Sequence, residues 1–257
     1  MSNATNPKQR KSKINKLVLA SLFIALSIIL KLSFEIYLTP DLRINFTTIP
    51  IILSGVALGP IWGFAVGVLS DILNFIIKPA GPGIHPGLTF VTGLTGLIPG
   101  LVVYFNRKTT KKINYSLLNI INFVILIIGG IALGVSTGAL SIRNGAIYLG
   151  ESIIQWYFYL ILFVAFALYA FFVIKVVAKK QEINKKLQPN MVVFAVSFVE
   201  IVGHVLLNAI FLSQMFGTPA IFLLPGRFLK AIIMIPLESF IIYLLANALI
   251  KYKLVKK

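Results

Sequence analysis

Polar and ionisable residues recur at helical spacing in a chain that is otherwise apolar. Asp71, Asn74 and Lys78 stand at i, i+3 and i+7, which places them on one helix face. Glu200, His204 and Asn208 stand at i, i+4 and i+8, Lys31 and Glu35 at i, i+4, and Arg227 and Lys230 at i, i+3. Such a set can do two kinds of chemistry. It can bind a polar anion, with Arg gripping a carboxylate through two parallel hydrogen bonds. It can also run acid–base chemistry, with Ser70-Asp71 or Glu200/His204 as the reacting pair of an intramembrane enzyme. Cations outnumber acids around these positions, with Lys31, Arg43, Lys78, Arg227 and Lys230 against Glu35, Asp41 and Asp71. That excess favours an anionic ligand. Tyr37, Phe46, Trp62, Phe75 and Phe90 are close enough in sequence to stack on a flat ring. His85, in P-A-G-P-G-I-H-P-G-L-T-F-V-T-G at 79–93, is a further contact expected at the mouth of the site.

The elements that must position these groups are membrane helices. Of the 257 residues, 58% are hydrophobic and only 12% charged, against about 25% charged in a soluble domain. Mean hydropathy is +0.93. Eight apolar helical segments are expected, at 14–38, 47–58, 61–78, 86–106, 114–140, 147–178, 191–212 and 225–250. The second is short, about 18 Å for twelve residues, and cannot cross a hydrocarbon core of about 30 Å alone. Its outer end is expected to continue into T-P-D-L-R-I-N-F-T-T-I-P as part of a cavity wall. The third segment follows it after a tight turn at Gly59-Pro60.

The net charge of +17 does not point to nucleic acid, because it is placed for topology. Eighteen of the 24 Lys/Arg residues fall in clusters at 8–16, 107–112, 175–186 and 251–257, each flanking an apolar run as cytoplasmic ends do. Both termini are therefore expected to be cytoplasmic, and the loops at 39–46, 79–87, 141–146 and 213–224 to lie outside. Lys31, Arg43, Lys78, Arg143, Arg227 and Lys230 then fall in the outer half, where the polar stripes converge on one pocket. The first run continues past 20 residues without a small-residue cleavage site, so no cleavable signal peptide is expected. Without Cys there is no disulfide or thiolate metal site, and two separated histidines make a poor metal site, so none is expected. The P-loop, H-E-x-x-H and G-x-S-x-G patterns are absent. No cofactor and no ATPase or other enzymatic activity of the chain itself is expected. Ala20, Ser21 and Ala25 give the first helix a small-residue face suited to close helix contact.

Several stretches together resemble the substrate-binding (S) subunits of energy-coupling factor (ECF) vitamin transporters, folate type. They are the basic start of a helix with a small-residue face, R-I-N-F-T-T-I-P at 43–50, G-x-x-L-G-P-I-W-G at 55–63, G-V-L-S-D-I-L-N-F at 67–75, H-P-G-L-T-F at 85–90 and P-G-R-F-L-K-A-I-I-M-I-P at 225–236. The resemblance covers about 14–106 and 190–250. It implies an all-α integral membrane protein of six core helices that captures a vitamin from outside the bacterial cell membrane. It implies partners too, namely a transmembrane coupling subunit and two ATPases, against which the loaded domain topples inward. Ser21 and Ala25 stand where the family's A-x-x-x-A contact with the coupling subunit falls. Arg43, Arg227 and Lys230 become candidates for folate carboxylates, Asp71, Asn74 and Asn208 for a pterin edge, and Phe46, Phe75 or Phe90 for stacking, with Lys31 and His85 beside them. Pantothenate or another vitamin stays open as ligand, and an assembly role stays open as function. Residues 107–189 depart from the family and are expected to be an inserted hairpin of two membrane segments. The expected organisation is a basic tail 1–13, core helices 14–106, insertion 107–189, core helices 190–250 and a basic tail 251–257.

Overall fold

The computed structural model describes residues 7–37, 43–79, 83–109, 113–138, 140–143, 146–149, 152–153, 167 and 187–251. Its helices are α1 (Pro7–Ser33), α2 (Thr48–Leu58), α3 (Pro60–Ile77), α4 (Pro86–Lys108), α5 (Tyr115–Ser136), α6 (Pro189–Phe216) and α7 (Ala220–Lys251). Among the described residues, all of these except α2 are long and apolar enough to cross a membrane. The six helices and the short α2 establish a helical membrane fold. An eight-segment count was expected. The sixth expected segment, 147–178, lies mostly outside the described residues, as do the basic clusters at 175–186 and 251–257.

The bundle is built around α2. Its residues Thr48–Gly55 and Leu58 are buried, which suits a short segment that meets no lipid. Ile49, Ile52 and Leu53 pack with Ala20 and Phe23 of α1, Val66 of α3, Val192 and Val196 of α6, and Ile242 and Ala246 of α7. Gly59, at φ 100, makes the turn into α3, whose first residue is Pro60. That φ is open to Gly and costly for other residues. Backbones touch where α2 and α3 meet α4. A Cβ on Gly96 would collide with the Gly63 carbonyl, and one on Gly55 with the Gly96 carbonyl. Small residues at helix contacts are how bundles pack in lipid, where tails compete equally for apolar side chains.

On α1, Ala20, Phe23, Ser27 and Lys31 are buried at spacings of three, four and four. Leu22, Leu26, Ile29 and Leu32 are exposed, and Ser21 and Ala25 are exposed beside them. Helix α5 packs with one face on α6 and α7, through Leu126 beside Ile201, Phe228 and Ile235. Polar bonds fix it there: Asn119 Nδ2 donates to the Asn190 carbonyl (3.0 Å), Asn122 Nδ2 to Ser197 Oγ (3.0 Å) and Asn190 Nδ2 to Ser116 Oγ (2.8 Å). Its other face, including Ile121, Ile125 and Ile128, is exposed. This helix therefore lies at the periphery of the bundle.

Some elements depart from expectation. Residues 141–146 were read as an outer loop and those from 147 as the start of a helix. The described residues here instead form antiparallel strands β3 (Leu140–Arg143), β4 (Ala146–Leu149) and β5 (Ser152–Ile153). Arg143 pairs with Ala146 at the end of the β3–β4 ladder. The two-stranded pair β1 (Ile36–Tyr37) and β2 (Arg43–Ile44) follows α1. The 213–224 loop shrinks to 217–219, because α6 runs to Phe216 and α7 starts at Ala220. Gly217, at φ 68, ends α6 in the left-handed conformation. Pro225, expected at a helix start, lies inside α7 with Pro236. Neighbouring helices and side chains can satisfy the carbonyls such prolines free in a membrane bundle. Residues 199–207 of α6 are π-helical.

Candidate functional site

A cavity of about 170 Å³ opens among the C-terminal ends of α1, α3 and α6 and the N-terminal ends of α2, α4 and α7. It lies at the end of the bundle opposite Lys13 and Lys16 of α1 and Arg107 and Lys108 of α4. Lys31, Arg43, Asp71, Asn74, Phe75 and His85 line it, as do Asn208, Arg227 and Lys230. Phe46 and Phe90 are not in the wall. Phe90 is 49% exposed and packs edge-on against Phe64 at 6.1 Å, because its helix turns Thr89 and Thr92 inward instead. Phe46 packs against Phe34 and the core around α2.

The acids at the mouth have partners other than those adjacent in sequence. By spacing, Glu35 shares a helix face with Lys31, four residues away. Its side chain, 1% exposed, meets Arg43 at 3.2 Å and Lys78 at 3.1 Å. The β1–β2 pairing sets Tyr37 opposite Arg43 and so returns Arg43 to Glu35. Lys31 Nζ instead donates to the carbonyls of Asn74 (3.0 Å) and Lys78 (3.1 Å) at the end of α3. A cation suits a helix C-terminus, whose last carbonyls lack intrahelical donors. Asn74 adds a second tie to α1, donating from Nδ2 to Ser27 Oγ at 3.1 Å, while its Oδ1 has no hydrogen-bond partner among the described residues.

Asp71 accepts from Thr89 Oγ1 (2.7 Å) and Thr92 Oγ1 (3.3 Å) on α4. These threonines, with Thr95, are site residues that the sequence reading missed. Their i, i+3, i+6 spacing is a polar stripe that could have shown them. Asn45, Thr47 and Thr48 at the start of α2 were missed as well. His85 caps α4, its Nδ1 accepting from the Gly87 N–H at 3.2 Å, and its ring lies 5.6 Å from that of Phe211. The side chain thus occupies the N-terminus of α4.

On the opposite wall, His204 Nδ1 faces Asn208 Nδ2 at 3.1 Å and Nε2 faces Thr95 Oγ1 at 3.4 Å. Asn208 Nδ2 can only donate, so Nδ1 accepts and Nε2 carries the proton in this assignment. At the end of the π-helical stretch the Asn208 N–H bonds the Gly203 carbonyl, an i+5 step. Returning to i+4 spacing leaves a carbonyl in this turn without an intrahelical donor. Arg227 Nη1 donates to the carbonyl of His204 at 3.3 Å. Lys230, one turn along α7, has no hydrogen-bond or ion-pair partner among the described residues. The mouth therefore balances its acid against two bases, and the α7 wall carries an unmatched ammonium. No group of three or more metal-ligating side chains occurs among the described residues.

The cavity is polar, ringed by helix ends and set in an apolar bundle. The family described as "ECF transporter, substrate-specific component" matches residues 15–121. The folate transporter FolT of Clostridium novyi (strain NT) is 34% identical over 100 residues, 39% of this chain and 56% of that protein. The riboflavin transporter RibU of Staphylococcus aureus (strain TCH60) is 28% identical over 109 residues, 42% of this chain and 56% of that protein. The matched part thus spans about half the length of each. A crystal structure of FolT bound with folic acid shares the fold, with a TM-score of 0.53 and 20% identity, covering 92% of this chain and 96% of that one.

Proposed function

We propose that this chain is the substrate-capture subunit of an ECF-type importer and takes an anionic vitamin, folate first, from outside the cell. The observation that carries this is the cavity wall formed by Arg227 and Lys230, facing Asp71 and Asn74 across a site at the bundle end away from the basic helix termini. In this reading the cations hold the glutamate carboxylates, while Asp71, Asn74 and Asn208 hydrogen-bond the heterocycle and Phe75 stacks on it. His85 closes the mouth. Both termini are cytoplasmic, consistent with the positive-inside bias of the clusters. The core helices lie in 14–106 and 190–250, and 107–189 is an insertion. A coupling subunit docks on Ser21 and Ala25, which are exposed on α1, and two ATPases drive the toppling that delivers the ligand.

The relatives described as riboflavin transporters support a second reading, in which the ring binds and the charge does not matter. The unmatched Lys230 argues for the anion. Mass spectrometry of small molecules retained on the purified protein tests both, followed by calorimetry with folic acid, riboflavin and pantothenate. Retention or tight binding of folic acid is expected. A protein that retains none of the three and binds none would overturn the proposal. Turnover of a substrate without partners, abolished by Asp71→Ala, would replace it with the enzyme reading.

A further inference from the structure

Beneath the cavity the bundle buries two carboxyl groups to which the proposed function gives no task. Glu200, in the π-helical stretch of α6, is 1% exposed, and Glu238, on α7, is 0% exposed. Ile201 and Val205 of α6 pack with Ala231 and Ile235 of α7. The two helices are antiparallel, so the next level of that seam away from the cavity carries Glu200 and Glu238. Thr48, which lies in the cavity wall, donates its hydroxyl to Glu238 Oε1. Glu238 Oε2 and both carboxyl oxygens of Glu200 have no hydrogen-bond partner among the described residues.

The charged groups around the pair are few. Lys230, two turns nearer the cavity on α7, acts on Glu238, as does Glu200. His204 lies one turn above Glu200 and is engaged with Thr95 and Asn208. Arg227 bonds the His204 carbonyl. Along their spans α2 contains no acid or base and α5 only Tyr115, and those of α4 (Tyr104, Arg107, Lys108) stand at its far end. Two ionised carboxylates in this dry seam would face one ammonium. Burying the second charge without a partner is costly in a membrane interior, and like charges at close range cannot both ionise cheaply.

We propose that Glu200 and Glu238 hold one exchangeable proton between them at neutral pH, a proton-binding site under the ligand cavity. Thr48 joins this site to the cavity wall, and Lys230 is shared between the acid pair and whatever anion enters above. An anion that draws on the Lys230 charge leaves the remaining carboxylate of the pair unmatched, and the pair takes up a second proton. By linkage, the doubly protonated pair then binds the anion better. This second step rests on the proposed anion capture, whereas the proton site does not.

Infrared spectroscopy of the full chain at neutral pH tests the site without any ligand. A protonated carboxyl shows a C=O stretch that an ionised carboxylate lacks and that shifts in deuterium oxide. One such band is expected in the wild type, and it should be lost in Glu200→Gln and in Glu238→Gln, because the remaining acid then matches Lys230. Glu238→Asp, which should move the band and not abolish it, serves if a glutamine variant does not fold. A wild type with no such band, or a band that survives both glutamine substitutions and is not moved by Glu238→Asp, overturns the site. The coupling is read as proton uptake on adding folic acid in weakly buffered solution. About one proton per ligand, lost when Glu200 and Glu238 are both replaced by Gln, is expected from the linkage, and no uptake overturns the coupling. If folic acid does not bind the wild type, the proposed function fails and the coupling with it, while the infrared band still decides the proton site.

Discussion

Replacing Glu35 by Gln keeps the size of the side chain and removes the charge that holds two cations at the mouth. Removing one partner of a fully buried ion pair costs about 3–5 kcal/mol, and an exposed pair is worth only about 0–1 kcal/mol. Glu35 falls between these limits. Its side chain is 1% exposed, but those of Arg43 and Lys78 are 33% and 37% exposed and can regain water when the acid is gone. The expected loss is therefore about 2 kcal/mol, which at ~2–4 °C per kcal/mol for a chain of this size lowers the melting temperature by roughly 4–8 °C. The assay is thermal unfolding of the purified protein at low and high salt. Half-exposed charges are screened, so the gap between wild type and variant should narrow in high salt. Anion binding should not weaken, since the mouth becomes more positive. An unchanged melting temperature, or a folic acid affinity that falls tenfold or more, would refute the reasoning. The first would mean that the triad contributes nothing, and the second that Glu35 itself contacts the ligand.

Gly96→Ala should lower the yield of folded protein and the melting temperature more than Glu35→Gln does, because its new methyl meets the backbone of α3 at Gly63 and no side chain can move aside. A melting temperature within a degree or so of wild type would contradict that packing. Lys230→Met should weaken folic acid binding at least tenfold in calorimetry, because it removes an ammonium from the cavity wall. Equal affinity would remove Lys230 from the ligand's path. Ser21→Leu should leave ligand binding intact and abolish co-purification with a coupling subunit, and retained co-purification would move the docking surface elsewhere.

The polar stripes of α1, α3, α6 and α7 were legible because a membrane span makes each ionisable residue conspicuous, and helical spacing then says which residues share a face. Asp71 with Asn74, and Arg227 with Lys230, reach the cavity by that logic alone. Thr89, Thr92 and Thr95 escaped it because threonine is cheap in a membrane helix, its hydroxyl satisfied by a carbonyl one turn back, as Thr92 does with Leu88 at 3.0 Å. The same helical phase that turns these threonines inward turns Phe90 out, so choosing the aromatic excluded the hydroxyls. Spacing could put Glu35 only on the face of Lys31, because the fold-back that delivers Arg43 is a tertiary fact. The two strands that make it are two residues each, too short to leave a period. The π-helical stretch left no trace, since Glu200, His204 and Asn208 repeat at the α spacing. Yet the wider turn decides their fates. His204 and Asn208 stay together at the cavity wall, and Glu200 drops into the α6–α7 seam beside Glu238, where the sequence offers no spacing rule to join residues 38 positions apart.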